Sequence, residues 1–490
     1  MGIIAKQSIY NTLSIGLAFI IGAVNMLYLY PTYPGKEFQG LVVALLANSN
    51  LIQPFISFGV QHTLIKFFSE NNTQEERDKL LWFVLFLPLL IIAIILPIYN
   101  FYNPQILDFL SNNNENVSRF PLLIIAVAVA TAYFEIFYSW LRVHLHSVFG
   151  NFLKEVYPRL INFLLLVIYA FQFIDLNQFI IYLIVAYYLR LLIIAGYSFY
   201  IYLPKFSFQL PGQMKALLKY SALIFLSGAA ASFILDIDKS MIYALTNDEN
   251  VAFYAVALYI AAVIEAPGRA MFQITAPLVA KALNDQDHNR LESLLKKSSI
   301  NLMIVGGLAF LLINLNLNDF YAIINQEGYK SALNVVIIVS LGKFFGLTLG
   351  CLNNIINNSK YYSYIFWFSV SSAIIAVVLN YYLIRSHGII GAAYATLLVM
   401  FFINLCKVIL VQHLFKIHPY TIKSVSLIVS VFVIYGIVYW IPSLANPILS
   451  IALRTLLIMV LFGIPFFVFR WSSDMESILV NIRNRFKLKK

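Results

Sequence analysis

Charged side chains inside long apolar segments are the residues of this chain that could do chemistry. Arg190 stands near the middle of the apolar segment 178–202, flanked by Tyr188 and Leu191. A charge at the depth of a lipid bilayer is costly, and residues that keep one there usually serve a function. Arg190 has no carboxylate three or four residues away on its own helix. It therefore needs a carboxylate on another helix or an anionic substrate in a water-filled cavity, and we favour the substrate.

A second group of charges lies late in the apolar segment 217–242. Asp236 and Lys239 are three residues apart, a spacing that allows an ion pair on one helix face, and Asp238 lies between them. These residues are candidates for a substrate-binding cavity. The alternative is that the helix ends here, among the outer lipid headgroups.

A third group surrounds a proline in the segment 250–276. Glu265 and Arg269 are four residues apart and could form an ion pair, with Pro267 between them. Proline removes a backbone donor and can kink a helix. The pair is either a gating or substrate-contacting pair beside a hinge, or a structural pair near the cytoplasmic end of its helix.

The remaining charges inside apolar segments are mostly basic. Glu135 and Arg142 belong to a polar stripe at helical spacing, which should face protein or water rather than lipid. Glu155 and Arg159 form an i, i+4 pair that favours a structural role. Lys343 could line a cavity or extend towards the interface. Arginine and lysine form strong charge-assisted hydrogen bonds with a desolvated phosphate, so this set suits a phosphate-bearing substrate.

The segments that carry these residues are long enough to cross a bilayer. Of the 490 residues, 61% are hydrophobic and 11% are charged, and the mean hydropathy is +0.81. Apolar helices of about 20 residues span the hydrocarbon core, and we predict an all-α polytopic membrane protein with about 14 spans. The predicted spans are 9–30, 41–64, 80–100, 120–141, 152–173, 178–202, 217–242, 250–276, 299–322, 331–352, 362–384, 389–414, 424–441 and 448–470.

The polar segments between the spans are short, and they exclude several classes of protein. No extramembrane domain could fold in them, which argues against a sensor domain or an enzyme with a large external loop. Most Lys and Arg side chains fall on one side when the two termini are placed in the cytoplasm, as the positive-inside rule requires. The basic charge is spread over many loops, so nucleic acid is not an expected partner. Cys351 and Cys406 show no disulfide or metal-ligand spacing, and no phosphate-binding loop of the P-loop type is present.

A proline-rich and lysine-rich segment divides the chain. It follows six predicted spans and precedes eight. We predict a six-helix lobe over 1–202, a cytoplasmic linker over 203–216, a second six-helix lobe over 217–415, and two extra helices with a basic cytoplasmic tail over 416–490.

A weak internal repeat relates the two predicted lobes. Glu37 and Glu249 each precede a long apolar helix, and Pro54 and Pro267 lie at similar depths in those helices. Duplicated lobes are common in transporters, and prolines at matched depths are candidate hinges.

Leu379–Met400 reads LNYYLIRSHGIIGAAYATLLVM and closely resembles a hairpin of the polysaccharide flippases in the multidrug/oligosaccharidyl-lipid/polysaccharide exporter superfamily. The family pattern is Asn, an apolar run, then Gly-x-x-Gly-Ala-Ala, and here it begins at Asn380 and includes Gly388 and Gly391. These glycines allow the chain to turn and the next helix to pack closely, and we treat them as hinge or structural residues.

Three other places resemble the same family. Asp238–Lys239 with Glu249–Tyr254 is similar to its acidic–basic pair followed by Glu-x-x-Gly-x-Tyr, although Ala252 stands where glycine is usual. Glu37–Gly40 is similar to the equivalent start of the second helix. Phe58–Gly59, followed by Lys66, resembles the glycine before a basic residue at the cytoplasmic end of that helix.

The resemblance implies two six-helix lobes around a central cavity, plus two carboxy-terminal helices, working by alternating access. The implied substrate is an oligosaccharide on a polyprenyl pyrophosphate, moved from the cytoplasmic to the outer leaflet of the inner membrane for O-antigen, capsule or exopolysaccharide synthesis. It implies no enzyme activity and no cofactor, with a proton or sodium gradient as the open energy source, and polysaccharide polymerase or assembly proteins as partners beside membrane lipids. The alternative is an ion-coupled multidrug or cation exporter of the same fold.

Overall fold

The computed structural model describes residues 3–70, 73–111, 121–144, 146–207, 209–324 and 328–472, and these residues form helices without any β-strand. The chain divides into two compact units. Unit 1 comprises Met1–Ala255 and Ser369–Gly388, and unit 2 comprises Val256–Phe368 and Ile389–Lys490. The predicted all-α fold class is confirmed. The predicted basic tail after residue 472 lies outside the described residues.

The helices of unit 1 follow the predicted spans, with additional breaks. They are α1 (Ile3–Val24), α2 (Lys36–Ser57), α3 (Val60–Glu70), α4 (Gln74–Ser111), α5 (Pro121–Val143), α6 (Ser147–Glu155), α7 (Tyr157–Ala170), α8 (Leu176–Ile201) and α9 (Met214–Leu245). A π-helical segment, Asn25–Leu29, and a short helical turn, Tyr30–Thr32, follow α1. Part of the core is aromatic, with Phe134 and Trp140 of α5 fully buried.

Two predicted spans of unit 1 are broken helices. The span predicted over 41–64 separates into α2 and α3 because Phe58 and Gly59 both adopt positive φ, of 47° and 73°. Gly59 is required here, since a Cβ would lie 2.7 Å from the carbonyl oxygen of Ser221. Pro54 lies within α2, and its carbonyl accepts the bond from the Phe58 N–H that caps the helix. The span predicted over 152–173 is likewise divided at Val156.

The segment between α8 and α9, predicted as a linker, is bound to the start of α4. The buried Asp78 carboxylate accepts hydrogen bonds from the Tyr202 hydroxyl at 2.5 Å and from the Lys205 N–H at 3.2 Å. Trp82 donates its indole N–H to the carbonyl of Lys205 at 2.9 Å and packs edge-on against Phe206. These contacts fix a non-helical segment that has no hydrogen-bond ladder of its own.

Unit 2 begins within a helix that starts in unit 1. The helices that lie wholly or partly in unit 2 are α10 (Asp248–Asn284), α11 (His288–Ile324), α12 (Leu333–Leu347), α13 (Leu352–Asn358), α14 (Ser363–Phe415), α15 (Ile422–Tyr439) and α16 (Pro447–Phe469). Residues 369–388 of α14 belong to unit 1. A buried apolar cluster joins α11 to α12, α15 and α16 through side chains that include Met303, Phe344, Val431 and Phe462. The two last helices therefore share a core with the rest of unit 2.

Gly388 interrupts α14. This run of 53 residues contains one residue with non-helical angles, Gly388, at φ 56° and ψ −137°. A straight helix of this length would measure about 80 Å at about 1.5 Å per residue, far beyond the ~30 Å hydrocarbon core, and the kink at Gly388 divides the run into two helices instead. The spans predicted over 362–384 and 389–414 thus meet at a glycine that adopts a conformation costly for other residues. Gly391 lies in the helical part that follows.

Ten of the described helices are long and apolar enough to cross a membrane. The number is eleven if Met214–Ala230 and Ser232–Leu245, which meet at a 42° bend, count together as one span. The longest of them, α14, holds two predicted spans. The multi-span character of the protein is therefore established, while the total of about 14 stays a prediction.

Candidate functional site

Arg190 is the buried cation of unit 1 that stands out by its surroundings. It lies on the buried stripe of α8 that includes Leu183, Ala186 and Ile194, and its side chain is 4% exposed. The guanidinium carbon lies 4.1 Å from the ring centroid of Phe134 and 4.7 Å from that of Tyr187. Within the part of the chain that the structure describes, its Nε has no hydrogen-bond partner. Two aromatic faces thus hold a charge that no carboxylate of the described residues neutralises by direct contact.

Three further charged residues, Glu135, Arg142 and Lys154, lie on α5 and α6, and two of them are basic. Glu135 of α5 forms its ion pair with Lys154 of α6, at 2.7 Å, and not with Arg142 seven residues on. Lys154 and Arg142 both lie near the ring of Tyr138, at 5.4 and 5.8 Å from its centroid. The polar side chains of α5 therefore lie together as predicted. The Glu135 carboxylate, however, pairs with Lys154 of α6, a partner that the spacing along α5 could not predict.

We call the set Phe134, Glu135, Arg142, Lys154, Tyr187 and Arg190 the Arg190 cluster. It contains three cations and one carboxylate, so its net charge is positive. Arg142 is exposed, and the Lys154 side chain is 39% exposed. An anion could therefore meet exposed cations of the cluster before it met the buried one.

Asp236 and Lys239 of α9 form the ion pair that their spacing predicts, at 2.6 Å. The Lys239 ammonium also donates to the carbonyl of Leu235, and Asn50 of α2 donates to the second oxygen of Asp236 at 3.1 Å. The alternative that the helix ends at this point is wrong, since α9 continues to Leu245.

Asp238 occupies a different environment on the same helix. Its carboxylate is 4% exposed and accepts a hydrogen bond from the Tyr254 hydroxyl at 2.6 Å. Beside it, Ser240 donates to the Oδ1 of Asn48 at 2.5 Å, and the Nδ2 of Asn48 is buried without a partner. Sequence reasoning named Tyr254 only as part of the family motif and missed Asn48, although a polar residue in a predicted span is a signal that could have found it.

The residues that carry the family resemblance at the starts of α2 and α10 have a packing role. Lys36 and Glu249 form an ion pair at 3.2 Å, and Lys36 lies over the ring of Phe253. A Cβ on Gly40 would lie 1.7 Å from the carbonyl oxygen of Asp248, so the two helix starts approach as closely as only glycine permits.

In unit 2, Glu265 pairs with a residue of another helix. Its carboxylate lies 2.5 Å from the Lys343 ammonium of α12, and no ion pair with Arg269 exists among the described residues. Arg269 is exposed, one turn further along α10, beyond Pro267 inside the helix. The predicted i, i+4 pair is therefore replaced by an interhelical one, and two cations flank one carboxylate.

A buried ion pair in unit 2 was missed by sequence reasoning. Arg454 of α16 donates to the Asp319 carboxylate of α11 at 2.9 Å, and also to the carbonyls of Leu315 and Ile441. Ser450 donates to the same carboxylate oxygen at 2.8 Å. The signal in the sequence was one acid and one base, each alone in its own apolar segment.

Within the described ranges, no group of three or more His, Cys, Asp or Glu side chains is placed to hold a metal ion. The polar sites of both units are instead built from single ion pairs and one cation-rich cluster.

Comparison with solved structures shows which fold the chain has. The fold is similar to that of "Lipid II flippase MurJ, inward closed conformation", with a TM-score of 0.71 and 15% identity over 94% of this chain and 99% of that chain. It is also similar to an inward-facing MATE family multidrug resistance transporter of the MOP superfamily, with a TM-score of 0.61 and 14% identity over 83% of this chain and 96% of that one. An outward-facing MATE transporter gives a TM-score of 0.55 and 11% identity, over 84% and 95% of the two chains. The chain thus has the all-helical fold of polytopic membrane transporters.

The family is shown by sequence. The family model described as "Polysaccharide biosynthesis protein" matches residues 4–282, more than half of the chain. The chain belongs to this family, and the predicted resemblance is confirmed at the level of this polysaccharide biosynthesis family. No curated protein sequence matches the chain.

Proposed function

We propose that this protein moves an oligosaccharide linked to polyprenyl pyrophosphate from the cytoplasmic to the outer leaflet of the inner membrane. Membership of the polysaccharide biosynthesis family and the fold shared with a lipid II flippase support a flippase for a lipid-linked substrate. The product then serves cell-surface polysaccharide synthesis, as O-antigen, capsule or exopolysaccharide. Polymerase and assembly proteins are the partners that would consume it.

The observation that carries this proposal is the environment of Arg190. A guanidinium presents five donors in a plane, and two phosphate oxygens can accept from it in parallel. The rings of Phe134 and Tyr187 hold the side chain by its faces, which leaves its edges for an anion. A buried cation without a carboxylate in contact is poorly stabilised, and a pyrophosphate would supply the missing charge.

The other charges define roles that follow from their positions. Lys154 and Arg142 would receive the pyrophosphate near the protein surface, because both are accessible and lie against Tyr138. Two carboxylates are candidates for binding a coupling proton or sodium ion, since carboxylates supply the charge that such an ion requires. They are Asp238, beside Tyr254, and Asp236, beside Lys239. The Glu265 carboxylate would exchange between the Lys343 and Arg269 cations during alternating access. Pro267, Pro54 and Gly388 would serve as the hinges of this motion.

An ion-coupled exporter of drugs or organic cations is the second candidate, because MATE transporters share the fold. Such a protein would favour carboxylates where its substrate binds. The positive balance of the Arg190 cluster opposes this alternative, whereas the buried Asp238 favours it.

A lipid-level experiment tests the proposal. The gene is deleted in its host, and the leaflet location of polyprenyl-linked repeat units is measured by their accessibility to a membrane-impermeant glycosidase in right-side-out and inverted vesicles. Accumulation of finished repeat units on the cytoplasmic leaflet, with loss of surface polysaccharide, is the expected result. Normal surface glycan with increased sensitivity to cationic drugs would support the exporter and overturn the proposal.

A further inference from the structure

Unit 1 contains a cavity whose chemistry differs from that of the Arg190 cluster. It has a volume of about 540 Å³ and lies where the turn after α1, the end of α7 and the start of α8 meet. Its lining includes Tyr33, Tyr169, Gln172, Phe173, Asp175 and Gln178. We call it the α7–α8 pocket. Its size falls within the roughly 300–1,000 Å³ of small-molecule sites.

The lining combines aromatic rings with neutral and acidic hydrogen-bonding groups, and none of the nine residues that line it is Lys or Arg. Tyr33 is 43% exposed and Phe173 is 77% exposed. Aromatic faces pack against the apolar C–H face of a sugar ring, while amides, carboxylates and phenols bond its hydroxyls. A phosphate would meet the Asp175 carboxylate without any cation, so the pocket suits an uncharged glycan.

Two of the polar side chains are held in place in advance. Asp175 accepts from the N–H of Gln178 at 2.8 Å, and Gln178 accepts from the N–H of Asp175 at 2.9 Å, in a reciprocal capping box. Each side chain keeps one polar atom, Oδ2 or Nε2, for which the described residues provide no partner. Pre-organised groups of this kind bind a ligand with less loss of conformational entropy.

Gln172 occupies a position that would otherwise favour glycine. It follows α7 with φ at +62°, and its N–H bonds to the carbonyl of Tyr169 at 2.8 Å. Glycine is the usual residue at this left-handed position after a helix, and another side chain there is strained. The Gln172 side chain lines the α7–α8 pocket at this position.

We propose that the α7–α8 pocket binds the glycan of the lipid-linked substrate, as a subsite separate from the cation-rich cluster that binds its pyrophosphate. This inference rests on the proposed function. With the amino terminus in the cytoplasm, the turn after α1 and the α7–α8 turn both lie at the outer face, so the pocket would receive sugars there. Because the glycan and the pyrophosphate would bind at separate places, the protein would select its substrate by the glycan and not by the lipid.

The test uses purified protein in proteoliposomes under a combined proton and sodium gradient. Two probes are compared, polyprenyl pyrophosphate bearing one sugar and polyprenyl pyrophosphate bearing the complete repeat unit from the host's own membranes. The measured quantity is the ratio of their translocation rates. Gln172→Gly and Phe173→Ala should lower the preference for the complete repeat unit about fivefold, as expected for the loss of about one hydrogen bond or one ring contact.

Gln286→Gly is the matched control. Gln286 also has positive φ, at 54°, and lines a different cavity, in unit 2. The same change in backbone strain should leave the preference for the complete repeat unit as in wild type. A preference unchanged in Gln172→Gly and Phe173→Ala, or lowered equally by Gln286→Gly, would overturn the pocket assignment.

A binding measurement separates failure of the pocket from failure of the proposed function. Saturation-transfer NMR is performed with the glycan released from the host's repeat unit by mild acid. Wild-type protein and Gln286→Gly should transfer saturation to the glycan, and Gln172→Gly should transfer several-fold less. If wild type translocates neither lipid, the proposed function fails, while the NMR comparison still supports or overturns the pocket.

Discussion

Two buried arginines, one in each unit, show how differently the same side chain can be accommodated. Arg454 in unit 2 has a carboxylate, two carbonyls and a hydroxyl as partners. Arg190 in unit 1 has two aromatic faces and, among the described residues, no acceptor. Both are nearly inaccessible, at 9% and 4% exposed. Burial alone therefore does not distinguish a structural arginine from one that awaits a ligand.

The hydrogen-bonding partners of the two arginines distinguish the structural one from the one that awaits a ligand. The Arg454 ion pair, with hydrogen bonds from both terminal nitrogens of the guanidinium, fixes α16 to α11, and its removal should harm the fold. An arginine held only by rings retains its hydrogen-bonding capacity, and its removal should harm function more than the fold. Four predictions test this contrast, and the first two test it directly.

Asp319→Ala should have the largest effect on stability, because it leaves the Arg454 charge buried and unpaired. The expected loss is about 3–5 kcal/mol, measured as a lower thermal unfolding midpoint in detergent. The double variant Asp319→Leu/Arg454→Met should recover most of the loss, since no unpaired charge remains. An unchanged midpoint in Asp319→Ala would show that this pair does not hold the last helices.

Arg190→Met should reduce translocation of the lipid-linked repeat unit about 10- to 100-fold, the value of a charge-assisted hydrogen bond to phosphate. Its thermal midpoint should equal or exceed that of wild type, because methionine fills the space between the rings without a desolvated charge. Phe134→Leu is the paired variant, since it removes one ring while the cation stays. Wild-type translocation by Arg190→Met would remove this arginine from the mechanism.

Lys343→Ala should have a small effect by itself, because Arg269 is one turn from Glu265 and can replace the lost cation. Lys343→Ala/Arg269→Ala should lose more than the sum of the single variants, by about 1 kcal/mol of coupling energy. The thermal midpoints of the four proteins give this value. Strict additivity would show that the two cations do not share the carboxylate.

Glu75→Gln should have the smallest effect of the four. The Lys79 ammonium, by a hydrogen bond, lowers the pKa of the Glu75 carboxyl below its usual range. Any stability from this pair is present above the pKa of the unfolded chain and is lost as the pH falls through the lowered pKa. Because Glu75 is exposed, water screens the pair, and no measurable change in thermal midpoint is expected. A clear decrease would mean that exposed pairs contribute as buried ones do.

The sequence predicted local features well because they depend on spacing within one helix. The Asp236–Lys239 pair forms at 2.6 Å, since three or four residues bring side chains together on any helix. The Glu155–Arg159 pair forms at 3.1 Å across the division at Val156, whose backbone keeps right-handed helical angles. The turn at Gly388 was predicted from the family resemblance, whose motif places a glycine before the next helix. The membrane class followed from composition, because only a bilayer accepts so many long apolar segments.

The contacts between helices were not predictable in this way. Glu265 pairs with Lys343 rather than Arg269, and Glu135 with Lys154 rather than Arg142. Helical periodicity fixes the face on which a side chain lies, but it does not name the helix that packs there. The breaks at Gly59 and Val156 were also missed, since each depends on how the chain packs and not on composition.

The sequence by itself thus determined that the chain is an all-helical membrane protein, the approximate positions of its spans, and a family resemblance in short motifs. The tertiary structure decided which charges are neutralised. Arg190 and Arg454 look alike in the sequence, each a lone base in an apolar segment. One meets rings and the other a carboxylate, because a buried charge takes its energy from the neighbours that folding supplies.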